Sequence, residues 1–141
     1  MAHISENASN VYRSSQAFFD ETLAPYQIGC GQQFFLMRIY EQPGISQFEL
    51  AETGSFDKGT CARAVKKLEE LGYLRRETRS SDRRSVQLYL TGQGEQLVPV
   101  IQGMLLEWNA ILCRTLQADE KEQAERLLDE IAGNAAAYIK R

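Results

Sequence analysis

From Asp57 to Thr91 the chain reads DKGTCARAVKKLEELGYLRRETRSSDRRSVQLYLT, and its apolar spacing changes period across Gly72. Before the glycine, Cys61, Ala64, Val65, Leu68 and Leu71 recur three and four residues apart, as on a helix with one buried face. Asp57 is a good N-cap for that helix, and Gly72 suits its C-terminal stop. Beyond it, Val86, Leu88 and Leu90 alternate with Gln87 and Tyr89, the period of a half-buried strand. A basic helix running straight into a two-strand hairpin restricts the fold to a mainly helical class with one small antiparallel sheet.

The helix face left over after the core is satisfied carries Gly59, Arg63, Lys66 and Glu70, with Thr60 and Lys67 on one flank. Small residues and cations in the first turns permit close approach to base edges and phosphates. The polar stretch Ser80–Ser85 joins the strands and holds Asp82, Arg83 and Arg84. A narrow minor groove attracts arginine through its enhanced negative potential. Asp82 is repelled by phosphate, so its expected part is to orient an arginine.

Upstream, Ser46-Gln47-Phe48-Glu49 is a capping box, with Ile45 and Leu50 as the matching hydrophobic staple. The expectation is a short helix closed by Gly54, a turn, and the Asp57 helix: a helix-turn-helix. Further helices are expected over Asn7–Ala24, ended by Pro25 and Gly29, and over Gly31–Glu41, stopped by Pro43-Gly44. After Thr91, Leu97, Ile101, Met104, Trp108 and Ile111 follow a 4, 3, 4, 3 spacing that suits a helix–helix seam. Pro99 falls inside this helix and is expected to kink it. A last helix over Asp119–Tyr138 is expected to bury Ala124, Leu127, Leu128, Ile131 and Ala135.

Charge fits this division. The chain of 141 residues has a net charge of −3. Asp57–Leu90 holds nine basic and five acidic residues, a net of +4, while the remainder holds seven and fourteen, a net of −7. A basic island on an acidic body focuses attraction for a polyanion on one face. The plain alternative is a solvated charged surface. The longest apolar run, Ala135–Ile139, is far short of the ~20 residues of a membrane span. MAHISENASN has no secretory pattern, so a cytoplasmic protein is expected. Three scattered cysteines and a single histidine, His3, give no disulfide framework, zinc cluster or histidine-based triad.

The capped Ser46 helix, the DKGT helix start, KKLEELGYLRR and SDRRSVQLYLTGQG together resemble the MarR family of bacterial transcriptional regulators, over almost the whole chain. The resemblance implies a winged helix-turn-helix at residues 30–91, with recognition helix 57–71 and wing 73–90. It also implies dimerising helices at 1–29 and 92–141. By position, Lys58, Gly59, Thr60, Arg63 and Lys67 would meet the major groove, and Arg83 and Arg84, with Asp82, the minor groove. Ser46 and Gln47 would touch phosphates. The implied partners are a double-stranded operator and a second copy of the chain, joined through Leu97, Ile101, Met104, Trp108, Ile111, Leu127 and Ile131. No cofactor or metal is implied.

Many family members respond to a small aromatic or lipophilic effector. Tyr26, Phe34, Phe35, Arg38 and Trp108 are the residues that would border one, with core packing as their other reading. The cysteine-sensing branch that uses a first-helix cysteine is not matched, since Cys30, Cys61 and Cys113 lie elsewhere. A winged-helix protein-interaction module without DNA binding is the alternative function. It has no need of Arg63, Lys66 and Arg83, all of which are present. An enzyme would need a nucleophile–base pair or cofactor loop, and neither is found.

Overall fold

The computed structural model describes residues 3–53, 56–78 and 86–140, without the side chain of Cys30. In chain order the elements are α1 (His3–Leu23), a 3-10 turn (Ala24–Tyr26), α2 (Cys30–Glu41), α3 (Gln47–Thr53) and α4 (Lys58–Glu70). Then come β1 (Leu74–Thr78), β2 (Val86–Leu90), α5 (Gly92–Leu112) and α6 (Ala118–Ile139). Contacts divide the chain into two compact units, residues 1–105 and 106–141.

In the first unit, α3 and α4 each start at a side-chain cap, Ser46 and Asp57. The Ser46 hydroxyl accepts the Glu49 N–H at 3.1 Å, as the capping box requires. The Glu49 carboxylate in turn accepts that hydroxyl's proton at 3.0 Å. Ile45 and Leu50, the staple pair, are both in the core. Gly54, the expected closing residue of α3, lies outside the described residues. The turn is anchored by Phe56, whose ring lies 5.0 Å from Phe35 and 5.3 Å from Phe34 of α2. Its N–H donates to the Ala51 carbonyl at 3.2 Å.

At the far end of α4, Gly72 takes φ +85°, the left-handed conformation open to glycine. The Tyr73 N–H donates to the Leu68 carbonyl at 2.9 Å and the Gly72 N–H to Glu69 at 3.0 Å, the pair of bonds of a Schellman stop. The chain is thereby turned directly into β1.

β1 and β2 pair antiparallel, Leu74 opposite Leu90, Arg76 opposite Leu88 and Thr78 opposite Val86. Leu74 and Leu88 turn inward, with Leu88 fully buried. The other edge of β2 is covered too: Leu88 donates to the Ile45 carbonyl and accepts from Gly44, at 3.0 and 2.9 Å. Ser46 bridges Gln87 there. A sheet edge left open would invite pairing with other chains. The core beneath draws on α1 to α5 and both strands: Leu23, Phe35, Leu36, Ile39, Leu50, Val65, Leu68, Leu88 and Ile101 are among its deepest members.

The apolar stripe of α5 corrects the sequence reading. Leu97, Ile101 and Met104 are buried in their own chain's core, which leaves them no surface for a partner. In the second unit, Ile111 on α5 and Leu127 and Ile131 on α6 are each 41% exposed, and Trp108 is half-buried. No described residue of α6 is buried, so the expected burial of Ala124, Leu127, Leu128, Ile131 and Ala135 does not occur within one chain. Periodicity finds an apolar stripe but does not say which molecule covers it.

Candidate nucleic-acid interface

α4 presents the face its phase demands. Cys61, Ala64, Val65 and Leu68 are buried, while Lys58, Gly59, Arg63, Lys66 and Lys67 are exposed and Thr60 is half-exposed. The first turn is tightly arranged. Asp57 accepts the Thr60 N–H at 2.7 Å and the Thr60 hydroxyl at 2.8 Å. That hydroxyl in turn accepts from Arg63 at 3.3 Å. The bond from the Thr60 backbone, then that from its hydroxyl, with the charge of Arg63 adding less, hold the Asp57 carboxyl below its ordinary range. Thr60's proton is therefore committed to Asp57, so any contact it makes with DNA is as an acceptor or through its methyl. Gly59 is close to both ends of this chain of bonds: a Cβ there would stand 3.1 Å from the Arg63 guanidinium and 3.3 Å from Asp57.

Lys66 sits two helical turns along, 72% exposed, with its ammonium 4.0 Å from Glu70. An exposed pair at this distance holds its lysine weakly and leaves the charge free to exchange partners.

α3 and the hairpin flank α4. Between them lies a groove of about 880 Å³ lined by Ser46, Gln47, Phe48, Lys58, Arg76 and Val86, with Glu49 and Ala51. The Lys58 ammonium stands 5.5 Å from the centre of the Phe48 ring, a cation–π distance. Ser46, Gln47 and Lys58 thus border the same groove. Ser46 itself is buried, so its hydroxyl serves the α3 cap rather than the groove surface.

Phe48 and Arg76 were not in the sequence-derived set. Phe48 is exposed, so burial periodicity assigns it nothing. β1 (LRRET) has no apolar residue after Leu74 from which to set a phase. Which way Arg76 points could be learnt only from its pairing with β2. The wing-tip residues Asp82, Arg83 and Arg84 lie outside the described residues.

Of the residues expected at an effector site, Phe34 and Arg38 come together, with the guanidinium 5.1 Å from the ring centre. Both line a hollow of about 180 Å³ with Met37 and Leu105. Phe35 is instead a core residue, its ring edge-on to Phe34 and tilted against Phe56. The Tyr26 carbonyl accepts the Tyr73 hydroxyl at 2.9 Å. Trp108 belongs to the second unit.

Cys61 is buried and its thiol donates to the Gln47 carbonyl at 3.7 Å; burial pushes its pKa up. Among the described residues no His, Cys, Asp and Glu group is placed to hold a metal, and no helix is long and apolar enough to cross a membrane.

Comparison with known proteins decides the family. The HTH-type transcriptional regulator BilQ of Clostridium symbiosum (strain WAL-14163) is 33% identical over 112 residues, 79% of this chain and 78% of that protein. A MarR transcriptional regulator from Methanosarcina mazei Go1 superposes with a TM-score of 0.91 at 34% identity, covering 98% of this chain and 99% of that one. The MarR family model matches residues 31–86. The chain belongs to the MarR family. It is a DNA-binding transcriptional regulator with the winged helix-turn-helix fold. A second relative, the uncharacterized HTH-type transcriptional regulator YybA of Bacillus subtilis (strain 168), is 33% identical over 74% of this chain and 69% of its own. The stretch matched by the MarR family model runs from α2 to the start of β2 and so contains α3, α4 and β1.

Proposed function

We propose that this MarR-family chain acts in the cytoplasm as a homodimeric repressor. It would bind a pseudo-palindromic operator and release it when a small aromatic or lipophilic effector binds. The observation that carries the reading is the exposed cationic face of α4, set between α3 and the hairpin on an otherwise acidic chain. Lys58, Gly59, Thr60, Arg63, Lys66 and Lys67 take the major groove, Gln47 a phosphate at the front of α3, and Arg83 and Arg84 the minor groove. Ser46 supports this set by capping α3.

The second unit supports the two-fold part of this reading. Ile111, Leu127 and Ile131 are exposed in the single chain, and a large exposed apolar patch marks a surface for a partner, here a second copy. Phe34 and Arg38 are the best-placed candidates for the effector. Their hollow of about 180 Å³ is below the ~300 Å³ of an ordinary ligand site, so it would form only part of an effector pocket.

Nuclease footprinting on genomic fragments enriched by the purified protein tests the proposal. The expected result is protection of two related half-sites whose centres lie about one DNA turn apart. Protection of a single isolated half-site by one chain would refute the dimeric reading.

A further inference from the structure

Arg76 stands opposite Leu88 in the hairpin, and directly opposed residues project from the same face of a sheet. Leu88 is fully buried, so that face is turned toward the helices. An arginine in this position lays its stem along apolar surface and brings its charge out at the rim. There its Nε donates to the Glu69 carboxylate of α4 at 3.1 Å. Its Nη1 donates to the Gln47 side chain of α3 at 3.4 Å. One guanidinium therefore joins β1, α4 and α3. The same end of α3 is tied to α4 by the Cys61 thiol on the Gln47 carbonyl, and to β2 by the Ser46–Gln87 bridge.

We propose that Arg76 is a positioning residue for DNA recognition, a clamp that fixes α4 against α3 and the hairpin through Glu69 and Gln47. The inference rests on the DNA-binding reading above and adds to it the residue that holds its reading head in place. Two observations favour a clamp over a phosphate contact. The charge of Arg76 is already matched by Glu69, a carboxylate that by itself would repel DNA. And the two bonds leave the guanidinium in different directions, a geometry that a rigid fork supplies and a lysine ammonium on a flexible stem does not.

The substitution Glu69→Gln separates the possibilities by sign. Removing a negative charge from this surface should, by charge alone, tighten binding to any duplex. Loss of the clamp lets α4 shift, so the predicted result is the reverse for a cognate site. The probes are a duplex selected by the wild-type protein from a randomised pool and a random-sequence duplex of equal length. Glu69→Gln should bind the selected duplex roughly tenfold more weakly while binding the random duplex at least as well as wild type.

Arg76→Gln should show the same loss of discrimination with an unchanged salt slope. The double variant should lose no more than either single one, the mark of two residues acting through one interaction. Arg76→Lys, which keeps the charge without the fork, should not restore discrimination. Tighter binding of Glu69→Gln to both duplexes, a salt slope lowered by about one unit in Arg76→Gln, or full discrimination in Arg76→Lys would each overturn the clamp. Both side chains are at least a third exposed, so the variants keep the core; melting curves matching wild type confirm that binding is what has changed. A wild-type protein that enriches no duplex at all would instead refute the DNA-binding reading, a separate failure.

Discussion

Gly94 shows how closely single atoms hold the joint between the end of α4 and the start of α5. A Cβ built there would stand 2.0 Å from the Tyr73 carbonyl oxygen, and backbone cannot swing away as a side chain can. The joint is fixed on both sides by Thr91, whose hydroxyl donates to the Gly72 carbonyl at 2.6 Å and accepts from the Gly94 N–H at 3.1 Å. Gly94→Ala should therefore cost about 1–3 kcal/mol, the ordinary range for overpacking, measured by denaturant unfolding. Asp57 makes a different kind of prediction, in pH. Its folded pKa is depressed by the Thr60 bonds, so its contribution is complete above the ordinary aspartate range and is lost as pH falls through the lower folded value. The melting-temperature gap between wild type and Asp57→Ala should be widest near neutrality and close as pH falls below the ordinary aspartate range. A gap constant over that range would show that Asp57 does not cap α4 as an anion.

The elements were readable from sequence where a signal repeats or punctuates. The capping box at Ser46, the Asp57 cap, Gly72 and the alternation of β2 are local, and each marks its element within a residue or two. α1 begins at His3, earlier than the expected Asn7, because helix ends on polar sequence carry no apolar beat to time them. Arg76 and Phe56 were not readable, since one depends on strand register and the other on a turn packing across to α2. The face of α4 was readable, and its residues give opposed predictions. Lys66, exposed and loosely paired, should behave as a phosphate contact: Lys66→Ala lowers the salt slope by about one unit with base preference unchanged. Arg63, linked through Thr60 to the cap at the helix start, should read bases: Arg63→Ala relaxes sequence preference. Equal weakening on every duplex would make Arg63 a phosphate clamp instead.

Taken as a whole, the molecule separates its apolar surface into two uses, a division that one chain's sequence does not contain. Leu97, Ile101 and Met104 complete the core of the first unit, whereas α6 buries nothing by itself. Sedimentation should give a dimer at micromolar concentration, and Leu127→Lys with Ile131→Lys should give a folded monomer. A wild-type monomer would remove the two-fold geometry on which operator symmetry depends. If the cationic face of α4 reads sequence on behalf of an acidic chain, the protein must prefer some duplexes strongly over others. Selection from a randomised duplex pool, followed by competition against random DNA at fixed salt, tests it most directly. The expected result is enrichment of a pseudo-palindrome bound ~10³-fold or more tighter than random duplex. Equal affinity for selected and random DNA would contradict it.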